Sequence, residues 1–227
     1  VKAPAAAAPS SRALRLARKA RIPLVIVALG LAGVGALHAK AMRPLLARVG
    51  GCPVAGRTAS PEQLEAFRVK NAPALKGTTR ALAHPAFGFQ LDRSTKAEVV
   101  AWGEKVHAEC TEELGGAALR CERADGVEIE DAYFRFDPRG VLVGVDLIHP
   151  ATDGATALRI VDELAAKLEQ EAGAPTAIRG TRTPEFLDGQ YRQAALEFHF
   201  TDYAADLTAT NLGAGVVVRE QYRSVPN

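Results

Sequence analysis

The stretch Ala132-Tyr133-Phe134-Arg135-Phe136-Asp137-Pro138-Arg139-Gly140-Val141-Leu142-Val143-Gly144-Val145-Asp146-Leu147 reads as two strands and the turn that joins them. Ala132, Phe134 and Phe136 alternate with Tyr133 and Arg135, while Val141, Val143, Val145 and Leu147 fall on one side of a second strand opposite Gly144 and Asp146. A period of two marks a half-buried strand, because successive side chains leave a pleated backbone on opposite faces. Asp137-Pro138-Arg139-Gly140 puts Pro and Gly where a type I turn takes them, so the strands form an antiparallel hairpin. One side of that hairpin is apolar and needs a cover.

The cover is legible on either side. Upstream, Thr95-Lys96-Ala97-Glu98 is a capping box, and Val99, Trp102, Gly103, Val106 and Cys110 follow at helical spacing, with a strand expected over Ala118 to Arg123. Downstream, Thr152-Asp153-Gly154 opens a second helix. Leu158, Val161, Leu164, Ala165, Leu168 and Ala172 form its apolar stripe, Glu163 and Lys167 are spaced for an exposed pair, and Gly173 with Pro175 ends it. Strands are then expected over Ala194 to Thr201, where Leu196, Phe198 and Phe200 alternate with Glu197 and His199, over Asp206 to Thr210, and over Gly215 to Tyr222. Asn211 to Gly215 is a hairpin turn by its glycines. The order helix, strand, strand, strand thus occurs twice, over about residues 92–149 and 152–223. The expected fold is α+β, with helices on one face of an antiparallel sheet. Ser60-Pro61-Glu62-Gln63 starts a further helix that should turn Leu64 and Phe67 inward and stop at Pro73; Leu75 to Leu91 reads as an irregular segment laid over the domain.

Ahead of this body the sequence changes character. Residues 1–21 form a basic tail expected to be disordered, 22–42 a transmembrane anchor or signal segment, and 43–59 a tether broken by Pro and Gly. The uncharged run Ile22 to Leu37 would rise about 24 Å as a helix, so spanning a hydrocarbon core of roughly 30 Å draws in residues 38–42 and lets Lys40 snorkel. Two readings fit: an uncleaved single-pass anchor, favoured by the long basic preface, or an export signal cleaved near Ala41 and a secreted product. In both, six Lys/Arg before the run keep the N-terminus cytoplasmic and send residues 60–227 to the periplasmic side of the inner membrane. Val49-Gly50-Gly51-Cys52 has the look of a lipidation site, but the apolar run is not adjacent to it.

Charge separates along the same boundary. Residues 1–51 hold nine of the 28 Lys/Arg and no Asp/Glu, which leaves 19 positive against 26 negative charges in the remainder, a balance of −7. Such a body offers no basic stripe to a nucleic acid, and none is expected as partner. In an exported body Cys110 and Cys121 are placed to close a disulfide, with Cys52 left over. His107-x-x-Cys110 puts two metal-ligand types on one helical face, yet no second pair completes a zinc site, so no metal is expected. His199, with Glu197 and Asp202 near, reads as a surface histidine, Glu128, Glu130 and Asp131 as solvated loop charge, and Trp102 as core. No nucleophile elbow, phosphate-binding loop or metalloprotease helix occurs, so no catalytic or cofactor-binding residue is expected.

The stretch Leu91-Asp92-Arg93-Ser94-Thr95-Lys96-Ala97-Glu98-Val99, followed by Tyr133-Phe134-Arg135-Phe136-Asp137 and Gly140-Val141-Leu142, resembles the SmpA/OmlA small outer-membrane-assembly proteins, with Arg93 where those usually carry Gly. The tandem use of such a unit is similar to the fold of β-lactamase-inhibitor protein. Both resemblances imply a binding or scaffolding surface in the cell envelope and no catalytic residues. The expectation is a membrane-anchored extracytoplasmic interaction module with an envelope protein as partner. The alternatives are a secreted or anchored hydrolase, and an inhibitor or sensor domain that takes a protein or peptide on its open sheet face.

Overall fold

The structure, a computed structural model, describes residues 60–226. The apolar run, the tether and Cys52 lie outside the described residues, and among those described no helix is long and apolar enough to cross a membrane. The first helix, α1 (Pro61–Asn71), opens as expected: the Ser60 hydroxyl accepts from the Gln63 N–H and the Gln63 side chain accepts from the Ser60 N–H. A 3₁₀ turn containing Pro73 (Ala72–Leu75) closes it. Phe67 does not face inward; it is 68% exposed. The helix is instead held to the sheet by Arg68, whose Nη1 donates to the Ser224 carbonyl and hydroxyl at 3.1 Å, so its polar edge rather than Phe67 meets the fold.

A small hairpin, β1 (Pro85–Ala86) with β2 (Phe89–Gln90), lies within the segment expected to be irregular. Helix α2 (Lys96–Lys105) carries the predicted capping box but stops at Lys105, short of the expected stripe. Val106 caps it, His107 takes a left-handed φ of 49°, and the chain returns as a strand, β3 (Glu109–Glu113), so Cys110 stands on a strand and not on the helix. The remaining elements are β4 (Ala118–Glu122), β5 (Asp131–Phe136), β6 (Leu142–Ile148), α3 (Gly154–Glu171), β7 (Ala177–Arg179), a short α4 (Pro184–Leu187), β8 (Gln193–His199), β9 (Tyr203–Asn211) and β10 (Val216–Ser224).

Strands β3 to β10 make one antiparallel sheet of eight in the order β3-β4-β5-β6-β10-β9-β8-β7. Each unit is therefore a helix followed by a meander of four strands, one more than expected, and the two meanders meet back to back at β6 and β10. The additional strands, β3 and β7, are the sheet's outer edges. Their sequences explain why alternation did not mark them: β3 is Glu-Cys-Thr-Glu-Glu, almost wholly exposed, and β7 is only three residues long. Short or charged edge strands are how sheets avoid pairing with other chains.

The predicted turn closes the β5/β6 hairpin: the Gly140 N–H donates to the Asp137 carbonyl at 2.9 Å, and the Asp137 carboxylate accepts from the Arg139 and Val141 N–H groups. One detail differs from simple alternation. The register shifts between Arg135 and Phe136, pairing Phe136 with Leu142 and Arg135 with Gly144, so Val143 is the extra residue of a bulge. Leu142 takes the core position that alternation assigned to Val143.

On the core face Phe134, Val145, Leu147, Leu196, Phe198 and Leu207 are almost fully buried under α2, α3 and the β1/β2 hairpin. Trp102 of α2 is half-buried there, edge-on to Phe87, Phe89 and Phe134 with centroids 5.4 to 6.2 Å apart. Beside it Gly103 must lack a side chain, because a Cβ would sit 2.8 Å from Cys110 Sγ. Helix α3 is capped by Asp153, which accepts from the Thr156 N–H at 2.8 Å, and buries Ala157, Leu158, Val161 and Leu168. Its exposed ion pair is Arg159 with Glu163 at 2.8 Å, one turn earlier than the expected Glu163 with Lys167.

Candidate functional site

Helices α2 and α3 share one side of the sheet, which leaves the other side to charged residues arranged by the strand register. One row across five strands reads Tyr133, Asp146, Gln221, Asp206, Glu197. The row on one side of it carries Arg135, Gly144, Arg223, Ala204 and His199, and the row on the other carries Asp131, Ile148, Arg219, Thr208, Ala195 and Arg179. Carboxylates thus lie between arginines and pair across strands. Arg219 and Gln221 donate to Asp146, Arg223 and His199 to Asp206 at 3.0 and 2.8 Å, Arg179 to Glu197, and Arg120 to both oxygens of Asp131 at 3.1 and 2.8 Å. Burial pushes the Asp206 carboxyl up, but His199 and Arg223 more than offset this and hold it below the usual carboxylate range. Every cation on the strands is an arginine, and no lysine stands on any of them.

At one end this face is roofed by α1, and a cleft of about 410 Å³ lies between them, walled by Leu64, Phe67, Leu75, Leu114, Tyr133 and Val143. Arg135 stands in its floor. Its guanidinium lies flat over Gly144, where a Cβ would come within 3.0 Å of Nε and Nη2, and its Nε is buried without a hydrogen-bond partner among the described residues. The nearby carboxylates are committed elsewhere, Asp146 to Arg219 and Asp206 to Arg223. Burial, with Arg223 close by, lowers the Arg135 pKa, yet a guanidinium remains charged at any physiological pH.

The helix side holds a second cavity, of about 640 Å³, between the β1/β2 hairpin, α3 and the middle of the sheet. Glu220 of β10 points into the core beside it and is 2% exposed. One carboxylate oxygen meets His149 Nε2 at 2.6 Å and the other accepts from the Tyr222 hydroxyl. Burial first, and then the Glu220 charge, pushes the Tyr222 hydroxyl well above its ordinary pKa, so it donates and does not ionise. This trio can hold a proton or receive a ligand's donor group. Sequence reading missed it although the signal was present: Glu220 is in phase with Val216, Val218 and Tyr222, so the same alternation that buried the valines buries the acid.

The residues singled out from sequence are scattered. His199 is the expected satisfied histidine, but its partner is Asp206; Asp202 instead accepts from the Ala81 N–H and Arg80 and meets His84. His107 is exposed and faces Asp125 at 3.2 Å, and the helix that was to align it with Cys110 ends before either residue. Glu128 and Glu130 are exposed, and Asp131 is taken by Arg120. Cys110 and Cys121 face each other directly across β3 and β4, with sulfurs at bonding distance, 2.06 Å. Among the described residues no three His, Cys, Asp or Glu converge as a metal site. Comparison with known protein families, characterised proteins and solved structures finds no match to the chain.

Proposed function

We propose that the chain is an extracytoplasmic, periplasmic interaction module, held at the inner membrane by residues 22–42, that docks an envelope protein on the outward face of its sheet and performs no chemistry of its own. The observation that carries this reading is the composition and order of that face. Its cations are all arginine, each with a planar fork, and most are fixed by carboxylates on neighbouring strands. Interfaces are enriched in arginine and tyrosine and depleted in lysine, and a pre-positioned guanidinium loses little freedom on binding. The sulfur pair supports the compartment, since disulfides persist where thiols are not kept reduced.

A photo-crosslinking residue at Thr208, in the middle of the face, tests this against one at Glu169 on the outer side of α3. A discrete adduct from position 208, absent from position 169 and lost on Arg219→Glu, is expected. Equal adducts from both positions, or a carboxyl-terminal reporter found in the cytosol, overturns the proposal. A second reading, a secreted or anchored hydrolase, draws on the His149–Glu220 pair; its cavity offers no serine, threonine or cysteine as nucleophile among the described residues.

A further inference from the structure

We propose that the cleft between α1 and the outward sheet face is a binding site for a small carboxylate on an apolar stem, of the kind of a medium-chain fatty acid, with Arg135 as the ligand of its carboxylate. This inference is independent of the docking of a protein elsewhere on the sheet.

The argument begins with an imbalance of charge. A buried cation is tolerated when a counter-charge or a full set of acceptors compensates for lost water. Arg68 and Arg223, the other arginines of the cleft, are compensated: Arg68 by Glu65 at 2.7 Å and by Ser224, Arg223 by Asp206 and Gln221. Arg135 is not: its Nε is buried and has no hydrogen-bond partner among the described residues. Deprotonation offers no relief, because the guanidinium stays charged. The one acidic residue in the cleft wall, Glu65, is the partner of Arg68. In a body whose balance is −7, a pocket with three arginines and one acid is a local inversion of sign.

The shape of the vacancy selects the anion. The guanidinium lies against the backbone of Gly144, Arg135 lines the cleft, and of its three nitrogens Nε is the one buried without a partner. The edge of a guanidinium matches a planar carboxylate through two parallel hydrogen bonds. Around it Leu64, Phe67, Leu75, Leu114 and Val143 form apolar walls that suit an alkyl stem. Small-molecule sites span about 300 to 1,000 Å³. At about 410 Å³ this cleft is near the lower bound, the size for a single-chain acid and too small for a two-tailed lipid. Phe67 and Leu64 belong to α1, so the helix that failed to bury its phenylalanine supplies the wall against which the stem would pack.

The test uses the full chain, freed of bound lipid and kept in a fluorinated surfactant that does not imitate an alkyl stem. Calorimetric titration with dodecanoate is expected to show one saturable site, with dodecanol at least tenfold weaker and acetate without measurable binding. Arg135→Met, which keeps the bulk and removes the charge, is expected to equalise dodecanoate and dodecanol. Gly144→Ala, whose methyl would displace the guanidinium and leave the strand in place, is expected to weaken dodecanoate at least several-fold and dodecanol little; it provides the result if Arg135→Met does not fold. The carboxyl carbon of labelled dodecanoate should shift on binding to the parent chain and not to either variant. Equal affinity for acid and alcohol, an undiminished preference in both variants, or Arg135-dependent binding to phosphatidylglycerol vesicles without binding of the free acid overturns the proposal.

Discussion

The two units of the sheet share a topology and are stabilised by different means. The first has a short helix, α2 of 10 residues, and relies on an aromatic cluster of Phe87, Phe89, Trp102 and Phe134 and on the Cys110–Cys121 link at its outer edge. The second has α3, of 18 residues, whose leucine and alanine stripe lies on β9 and β10, with no cross-link. They also differ where they meet. Val145 and Leu147 of β6 are apolar, whereas their neighbours across the seam, Tyr222 and Glu220 of β10, are polar and just as buried. A long amphipathic helix stabilises a small meander by area alone. A short one leaves part of that work to large rings and to a covalent tie.

The largest expected effect tests the aromatic cluster. Phe134 is fully buried, edge-on to Trp102 and Phe89, and Phe134→Ala should cost about 3 to 5 kcal/mol. Leu168→Ala, on the stripe of α3, should cost about 2 to 5 kcal/mol and toward the lower figure, since Leu168 already borders the second cavity. Denaturant titration of both variants breaks the comparison if Leu168→Ala proves the more damaging. Next is the covalent tie. Replacing Cys110 and Cys121 with serine should cost about 2 to 4 kcal/mol, and amide exchange should rise first on β3 while β7 keeps its rate. Equal acceleration on both edges would show that the link serves the whole sheet.

The smallest effect concerns what joins the units. His84, stacked on Tyr203, meets Asp92 at 2.9 Å and Asp202 at 3.3 Å, the first in the turn before α2 and the second in the turn between β8 and β9. The hydrogen bond to Asp92, opposed by burial and reinforced by Asp202, raises the His84 pKa above 6.5. Its raised value contributes stability that is complete below 6.5 and is lost as pH rises through the folded pKa. Both aspartates titrate below their usual value of 3.8 despite burial, so their share is present above that value and is lost on acidification. His84→Gln should therefore cost about 1 kcal/mol near pH 6 and flatten the decline in stability toward pH 8. A parallel decline in parent and variant would assign the pH dependence to another group.

How much of this was legible follows from the range of the interactions. The turn that pairs β5 with β6, both capping boxes and the stripe of α3 are local patterns of a few residues, and they stand as read. Strand β3 was not legible because Glu-Cys-Thr-Glu-Glu has no apolar phase; only its pairing with β4 makes it a strand. The bulge at Val143 exists between two strands and in neither alone. Glu220 could have been found by continuing the alternation of β10 through an acid. The cleft over Arg135 could not, because it depends on α1 returning to Ser224 across a separation of 156 residues.

The missing lysines have a practical consequence for anyone mapping contacts. Amine-directed reagents would label α1, α2, α3 and the loops and leave the whole sheet silent, because the lysines among the described residues lie off the strands. A footprint made with them would report a partner's absence even while one was seated there. Reagents that attack guanidinium or carboxyl groups would read the face directly, and the difference between the two footprints would itself locate the contact.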